Sequence, residues 1–175
     1  MTARAPELFH LDRLPTPIGE ALLVTDADGR LCALDWADFA ERMGRLMRQQ
    51  FGKASLQEGR APRALVATLN AYFAGDIKSL RGIECRFAGT PFQRSVWTAL
   101  REIPDGGTTS YSALACRIGR PTAMRAVGHA NGANPISVVV PCHRVIGANG
   151  ALTGYGGGLA RKRWLLAHEG VPIDA

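Results

Sequence analysis

The sequence predicts a mixed α/β (α+β) protein. A small N-terminal α/β domain with a short antiparallel sheet is expected over residues 1–88, and a mainly helical C-terminal domain with a helix-turn-helix over residues 89–175. Three observations point there. Two short apolar runs flank a polar turn near the N-terminus and are followed by helical spacing. A strong helix start stands at Thr90. Beyond it, two short helical stretches precede an unbroken apolar run that ends in Cys142.

In chain order, Thr16-Pro17-Ile18-Gly19 opens the first ordered stretch. Ala21 to Thr25 is a strand, Asp26 to Gly29 a turn, and Leu31 to Trp36 the returning strand of a hairpin. Asp38 to Gln50 has helical spacing, with Phe39, Met43, Leu46 and Met47 on one face. Gly52 to Pro62 is polar and loop-like. Arg63 to Ala74 is a second helix that buries Leu65, Leu69 and Phe73 and stops at Gly75; Ile83 to Phe87 is a short strand. Thr90 as N-cap, Pro91 at the first helical position and Gln93 three residues after the cap begin a helix that runs to Arg101. Ser110 caps a helix from Tyr111 to Ile118, and Pro121 or Thr122 begins another that reaches Asn131. The second of this pair is rich in small residues (Ala123, Ala126, Gly128, Ala130), which permit close approach to a partner surface. Arg125 projects from its middle, either as a solvated charge or as a side chain that enters a groove. Leu159 to Glu169 closes the chain as a helix anchored by Trp164, Leu165 and Leu166.

Ile136 to Ile146 reads Ile-Ser-Val-Val-Val-Pro-Cys-His-Arg-Val-Ile. A run this apolar is a buried strand or strand-like segment. A buried cysteine by itself is an ordinary small hydrophobe, but ionisable groups at the same depth must be paired or face a cleft, and such neighbours activate a thiol. Cys142 followed by His143 is therefore compatible with a packed thiol or with a nucleophile. The four cysteines lie far apart with no C-x-x-C pair, which suits reduced thiols rather than zinc or a disulfide framework. No apolar run approaches the roughly 18 residues of a membrane span, and no signal-peptide core is visible, so a cytoplasmic protein is expected. The net charge is +6, and residues 91–175 carry nine Lys and Arg against four Asp and Glu. That excess is either a solvated basic face or the footprint of a polyanion such as DNA.

An ordered set of motifs narrows these alternatives. Thr90-Pro91-Phe92-Gln93 with Val96-Trp97, Arg125-Ala126-Val127-Gly128, Asn134-Pro135-Ile136, Pro141-Cys142-His143-Arg144-Val145-Ile146-Gly147, Thr153-Gly154-Tyr155-Gly156-Gly157-Gly158 and Arg161-Lys162 with Trp164-Leu165-Leu166, then His168-Glu169-Gly170, follow in sequence. Together they resemble the O6-alkylguanine-DNA alkyltransferases, almost continuously from residue 90 to 170. Thr16 to Gly19 and Tyr72-Phe73-Ala74-Gly75 extend the likeness to the bacterial single-activity members.

The resemblance implies direct-reversal repair of duplex DNA: a stoichiometric transfer of the O6-alkyl group of guanine to Cys142 after the nucleotide is flipped out, with O4-alkylthymine left open as a second substrate. It implies His143 as base through a water and Glu169 as its orienting partner. Tyr111 would donate toward N3 of the departing guanine, and Asn134 would hold the turn before the cysteine. The carbonyls of Cys142 and Val145 would accept from the exocyclic amine, Tyr155 would wall the pocket, and the Gly156 amide would face O6. Arg125 would fill the gap in the base stack, with Gln93, Ser112 and Arg120 as further DNA contacts in the minor groove. No cofactor and no metal are expected, since Cys32, Cys85 and His10 do not reproduce the zinc ligands of some relatives. A monomer is expected, with cooperative assembly on DNA left open. His129 on the recognition helix and Gly156, where some relatives have serine, depart from the family pattern. Two rival readings are a non-catalytic module that flags alkylated DNA, against which Cys142 argues, and a cysteine hydrolase, for which the sequence offers no oxyanion hole.

Overall fold

The computed structural model describes residues 5–173. Strands β1 (Glu7–Thr16), β2 (Gly19–Thr25) and β3 (Leu31–Trp36) form an antiparallel meander. Helix α1 (Ala40–Phe51) then leads to β4 (Ala54–Glu58), which returns parallel to β1, giving the sheet order β3-β2-β1-β4. The expected hairpin is present as β2 and β3. Two strands were not foreseen. β1 lies between β2 and β4 with an irregular burial pattern, and β4, expected as loop, is a largely exposed edge strand.

β2 is buried on both faces, which is why it reads as a continuous apolar run. Leu22 and Val24 face α1 together with Phe9, Met43 and Met47. Ala21 and Leu23 face the opposite way, into a core that continues through the C-terminal half to Trp97, Leu100, Ile136, Val140 and Leu165. A bulge at the start of β3 puts Cys32 and Ala33 both on the α1 side.

α2 (Arg63–Phe73) buries Leu65, Leu69 and Tyr72. Tyr72, not the expected Phe73, is the fully buried ring, because its hydroxyl has a carboxylate to reach. Residues 83–87 form no regular strand; only Cys85 bridges to Leu31. α3 (Pro91–Arg101) starts on a complete capping box. The Thr90 hydroxyl accepts from the Gln93 amide, and the Gln93 side chain accepts from the Thr90 amide. β5 (Thr109–Ser110), α4 (Tyr111–Arg117) and α5 (Met124–Gly132) follow, and Ser110 caps α4 as expected. α5 starts later than predicted, at Met124 after a turn, so Arg125 lies in its first turn rather than its middle.

Ile136 to Ile146 is buried throughout its first ten residues but is not a strand. Ile136 makes one bridge to Leu34, residues 137–140 turn, Cys142–Arg144 is a single 3-10 turn, and only Val145–Ile146 (β6) pairs, in parallel with β5. Helix α6 (Leu159–His168) closes the fold.

Candidate active site

The turn that presents Cys142 is held from inside. The Asn134 amide donates to the Val140 carbonyl at 2.8 Å, and its oxygen accepts from the Ile136 amide at 3.0 Å. Val138 sits at φ 70°, a left-handed conformation that a β-branched residue keeps only when its surroundings fix it. The Pro141 ring then starts the short 3-10 turn that aligns Cys142, His143 and Arg144.

The His143 Nε2 lies 2.9 Å from Glu169 Oε1 with both side chains fully buried. Glu169 also accepts from Arg144 Nε at 2.8 Å, Arg144 Nη2 at 3.0 Å and the Tyr72 hydroxyl at 2.8 Å. Burial opposes ionisation of Glu169, but the hydrogen bonds from His143 and Arg144 and the Arg144 charge outweigh it and hold the carboxyl well below its ordinary range. Burial pushes the His143 pKa down, so the ring is neutral near pH 7. A carboxylate at Nε2 fixes the proton there and leaves the lone pair on Nδ1, which has no hydrogen-bond partner among the described residues.

Cys142 is 6% exposed. Burial raises its thiol pKa, against the pull of Asn134, Lys162 and Arg42. The resting sulfur is therefore a thiol rather than a free thiolate. It lines a cavity of about 310 Å³ with Tyr111, Gly128, Asn131, Tyr155 and Gly156. Tyr111 is half-buried, and its oxygen accepts from the Thr153 hydroxyl at 3.1 Å.

Of the two carbonyls expected to read an exocyclic amine, that of Cys142 accepts from the Val145 amide and, at 3.5 Å, from the Asn131 side-chain amide, and that of Val145 accepts from Lys162 Nζ at 2.6 Å. A carbonyl has two lone pairs, so an incoming amine at Cys142 takes the place of the long Asn131 bond. Lys162 was not singled out in the sequence. It is fully buried, also donates to Thr153 at 2.8 Å, and burial lowers its pKa to about 8.

The remaining expected contacts surround α5. The Trp97 indole donates to the Ala130 carbonyl at 2.8 Å and fixes that helix against α3. Arg125 and His129 are exposed and line a groove of about 650 Å³ with Tyr111 and with Arg45 and Gln49 of α1. Arg120 is exposed at the turn between α4 and α5, and Ser112 is exposed at the start of α4. The Gln93 side chain is taken up by its cap. The structure thus brings Cys142, Tyr111, Tyr155 and Gly156 to one cavity, with His143, Glu169 and Asn134 behind it. Among the described residues no group of three or more His, Cys, Asp or Glu side chains converges as a metal site. Nor is any helix long and apolar enough to cross a membrane.

Residues 91–171 match the family model of the 6-O-methylguanine DNA methyltransferase DNA binding domain. The chain is 49% identical over 161 residues to a methylated-DNA–protein-cysteine methyltransferase of Salmonella typhimurium, covering 91% of this chain and 94% of that one. It is 44% identical over 155 residues to the protein of that name from Methanosarcina acetivorans, covering 89% and 94%. The crystal structure of Mycobacterium tuberculosis O6-methylguanine methyltransferase superposes with a TM-score of 0.74 at 41% identity, covering 95% and 96%. A crystal structure of the M. tuberculosis protein in complex with DNA gives the same TM-score at 42% identity, covering 91% and 92%.

Proposed function

This chain belongs to the methylated-DNA–protein-cysteine methyltransferases, and on that premise we propose that Cys142 is the residue that takes the methyl group from O6-methylguanine in DNA. One observation carries the assignment: Cys142 lines one cavity with Tyr111, Tyr155 and Gly156, and the residue next to it in the chain, His143, is paired with Glu169.

In the transfer, the sulfur attacks the methyl carbon as the C–O6 bond breaks, and the bonding pair stays with the purine. The thiol proton leaves through a water to His143 Nδ1, the ring nitrogen that Glu169 leaves unprotonated. Tyr111 supplies a hydroxyl proton toward N3 of the departing base. The Cys142 and Val145 carbonyls accept from its exocyclic amine, Tyr155 forms a wall, and the Gly156 amide faces O6. Asn134 keeps the sulfur in place. The product is a thioether, which resists displacement, so each molecule acts once.

The O6 position lies inside the duplex, so the nucleotide must be turned out, at a cost of a few kcal/mol that is smaller for a poorly paired base. We place α5 in the minor groove, where its small residues allow close approach and Arg125 occupies the space in the stack. Gln93, Ser112 and Arg120 contact the backbone on either side, without sequence preference. Residues 1–88 serve as scaffold and residues 89–175 as the DNA-binding and acceptor part. The protein acts as a monomer in the cytoplasm, a setting that suits its four free thiols.

The test is mass spectrometry of the intact protein after mixing with duplex O6-methylguanine DNA. Wild type gains one methyl group, on Cys142, in a one-to-one ratio with lesions removed. Cys142→Ala gains none and keeps its DNA affinity. A label on Cys32, Cys85 or Cys116, or turnover beyond one per molecule, refutes the assignment.

A further inference from the structure

A fixed cation packed against Gly156 has no task in that transfer. Arg42 is contributed by α1, from the N-terminal half. Its Nε and Nη2 grip the two carboxylate oxygens of Asp35 at 3.0 and 2.5 Å, and the Asp35 side chain is only 3% exposed. A bidentate pair of this kind fixes the plane of the guanidinium as well as its position. Nη1 is left pointing at Gly156.

The approach is so close that a Cβ added to Gly156 would lie 1.8 Å from Nη1 and 2.6 Å from Cζ. Gly156 has no left-handed φ that would demand glycine. The missing side chain instead makes room for the guanidinium against the loop that lines the cavity. The same loop is pinned next door: a Cβ on Gly157 would meet Trp36 Nε1 at 2.6 Å, and the Gly157 carbonyl accepts from Arg161 Nη1 at 3.1 Å. Arg161 in turn stacks 4.7 Å over Trp36 and pairs with Asp38. Loop and guanidinium are therefore held in fixed register by two independent ion pairs. The charge of Arg42 is also among those that pull the Cys142 thiol toward ionisation.

We propose that Arg42 is a further catalytic residue of the transfer, its Nη1 reaching past Gly156 to stabilise the O6 oxygen as the methyl carbon departs. The sulfur–carbon bond forms, the carbon–O6 bond breaks, and the electron pair stays on O6 and spreads into the purine. The guanidinium remains protonated throughout and gives up nothing. A permanent cation aimed at developing negative charge, on a side chain only 16% exposed, is worth more than the same charge in solvent. The assignment rests on the reading of Cys142 as acceptor and of Gly156 as the wall nearest O6.

The test is single-turnover transfer from a series of O6-methylated purines in duplex DNA whose departing anions differ in basicity. Asp35→Asn with Arg42→Gln removes both charges together, so no buried carboxylate is orphaned. Gly156→Ala in the otherwise unaltered chain pushes the guanidinium aside and keeps the ion pair, which covers a failure of the first variant to fold. Both are expected to slow transfer from guanine by about a hundredfold with DNA affinity kept. The deficit should shrink as the departing purine becomes less basic, because less charge then needs stabilising. A merely structural role would slow every purine alike. Equal slowing across the series, or none, overturns the role of Arg42 while wild type still transfers its single methyl group. A wild type that accepts no methyl overturns the acceptor assignment instead.

Discussion

Glu169→Gln tests whether the buried carboxylate holds the site together. Glu169 receives four donors: His143 Nε2, Arg144 Nε, Arg144 Nη2 and the Tyr72 hydroxyl. Glutamine has the same shape but turns one oxygen into a second donor, so it opposes the groups that formerly faced it. The Arg144 side chain, 5% exposed, then keeps one amide oxygen, the Ile103 carbonyl and Asp105 at 3.5 Å as partners, and loses the carboxylate charge at its centre. Removing one member of a buried ion pair costs about 3–5 kcal/mol, and the lower end applies because Asp105 remains. For a chain of this size that is a Tm lower by about 6–12 °C.

The sign of the pH dependence is specific. Glu169 ionises below its ordinary pKa of 4.5 when folded, so its contribution is complete above that value and is lost as pH falls through the lowered one. Calorimetry of wild type and variant from neutral pH into acid should show a wide gap that narrows below the ordinary carboxylate range. A gap that stays constant, or a Tm loss under about 3 °C, would refute the reasoning. Transfer to Cys142 should slow in the same variant, because His143 loses the partner that fixes its proton on Nε2.

Lys162→Met should abolish an alkaline rise in stability. The folded pKa of about 8 lies below the ordinary 10.5, so the unfolded chain binds more protons between them and wild type gains stability as pH rises through that window, by urea titration. Thr90→Ala removes half of the cap on α3 and should cost about 1 kcal/mol in the same assay. Arg125→Ala, at an exposed site, should leave stability within about 0.5 kcal/mol. It should slow transfer from duplex far more than from a single strand, which has no stack to fill; equal slowing on both would remove Arg125 from the flipping step.

Much of the C-terminal half was legible because its signals are local. The Thr90 and Ser110 caps follow from short motifs, and the meeting of His143 with Glu169 is what the family resemblance implied. β4 was hidden because Ala-Ser-Leu-Gln-Glu is an exposed edge with no apolar alternation, made a strand only by the register of β1. β1 was hidden because its burial is irregular and it contains Pro15. The valine run misled for the opposite reason. Full burial looks alike in a strand and in a turn folded around an asparagine, and only the Asn134 bonds distinguish them. Arg42 and Lys162 look like ordinary helix-surface charges in sequence. Their surroundings are created by chain segments far away, Gly156 for one and the Val145 and Thr153 carbonyls for the other.

The backbone pairing of Leu34 with Ile136 welds the edge of the first sheet to the segment that carries the acceptor sulfur, over an apolar interior common to both halves. Severing the chain near residue 88 would uncover hydrocarbon on each fragment and strip the cavity of the wall behind Gly156. Neither piece should melt as a separate cooperative unit. The N-terminal half, which brings Arg42 but not the sulfur, thereby governs how tightly the sulfur is seated and so how fast it is consumed.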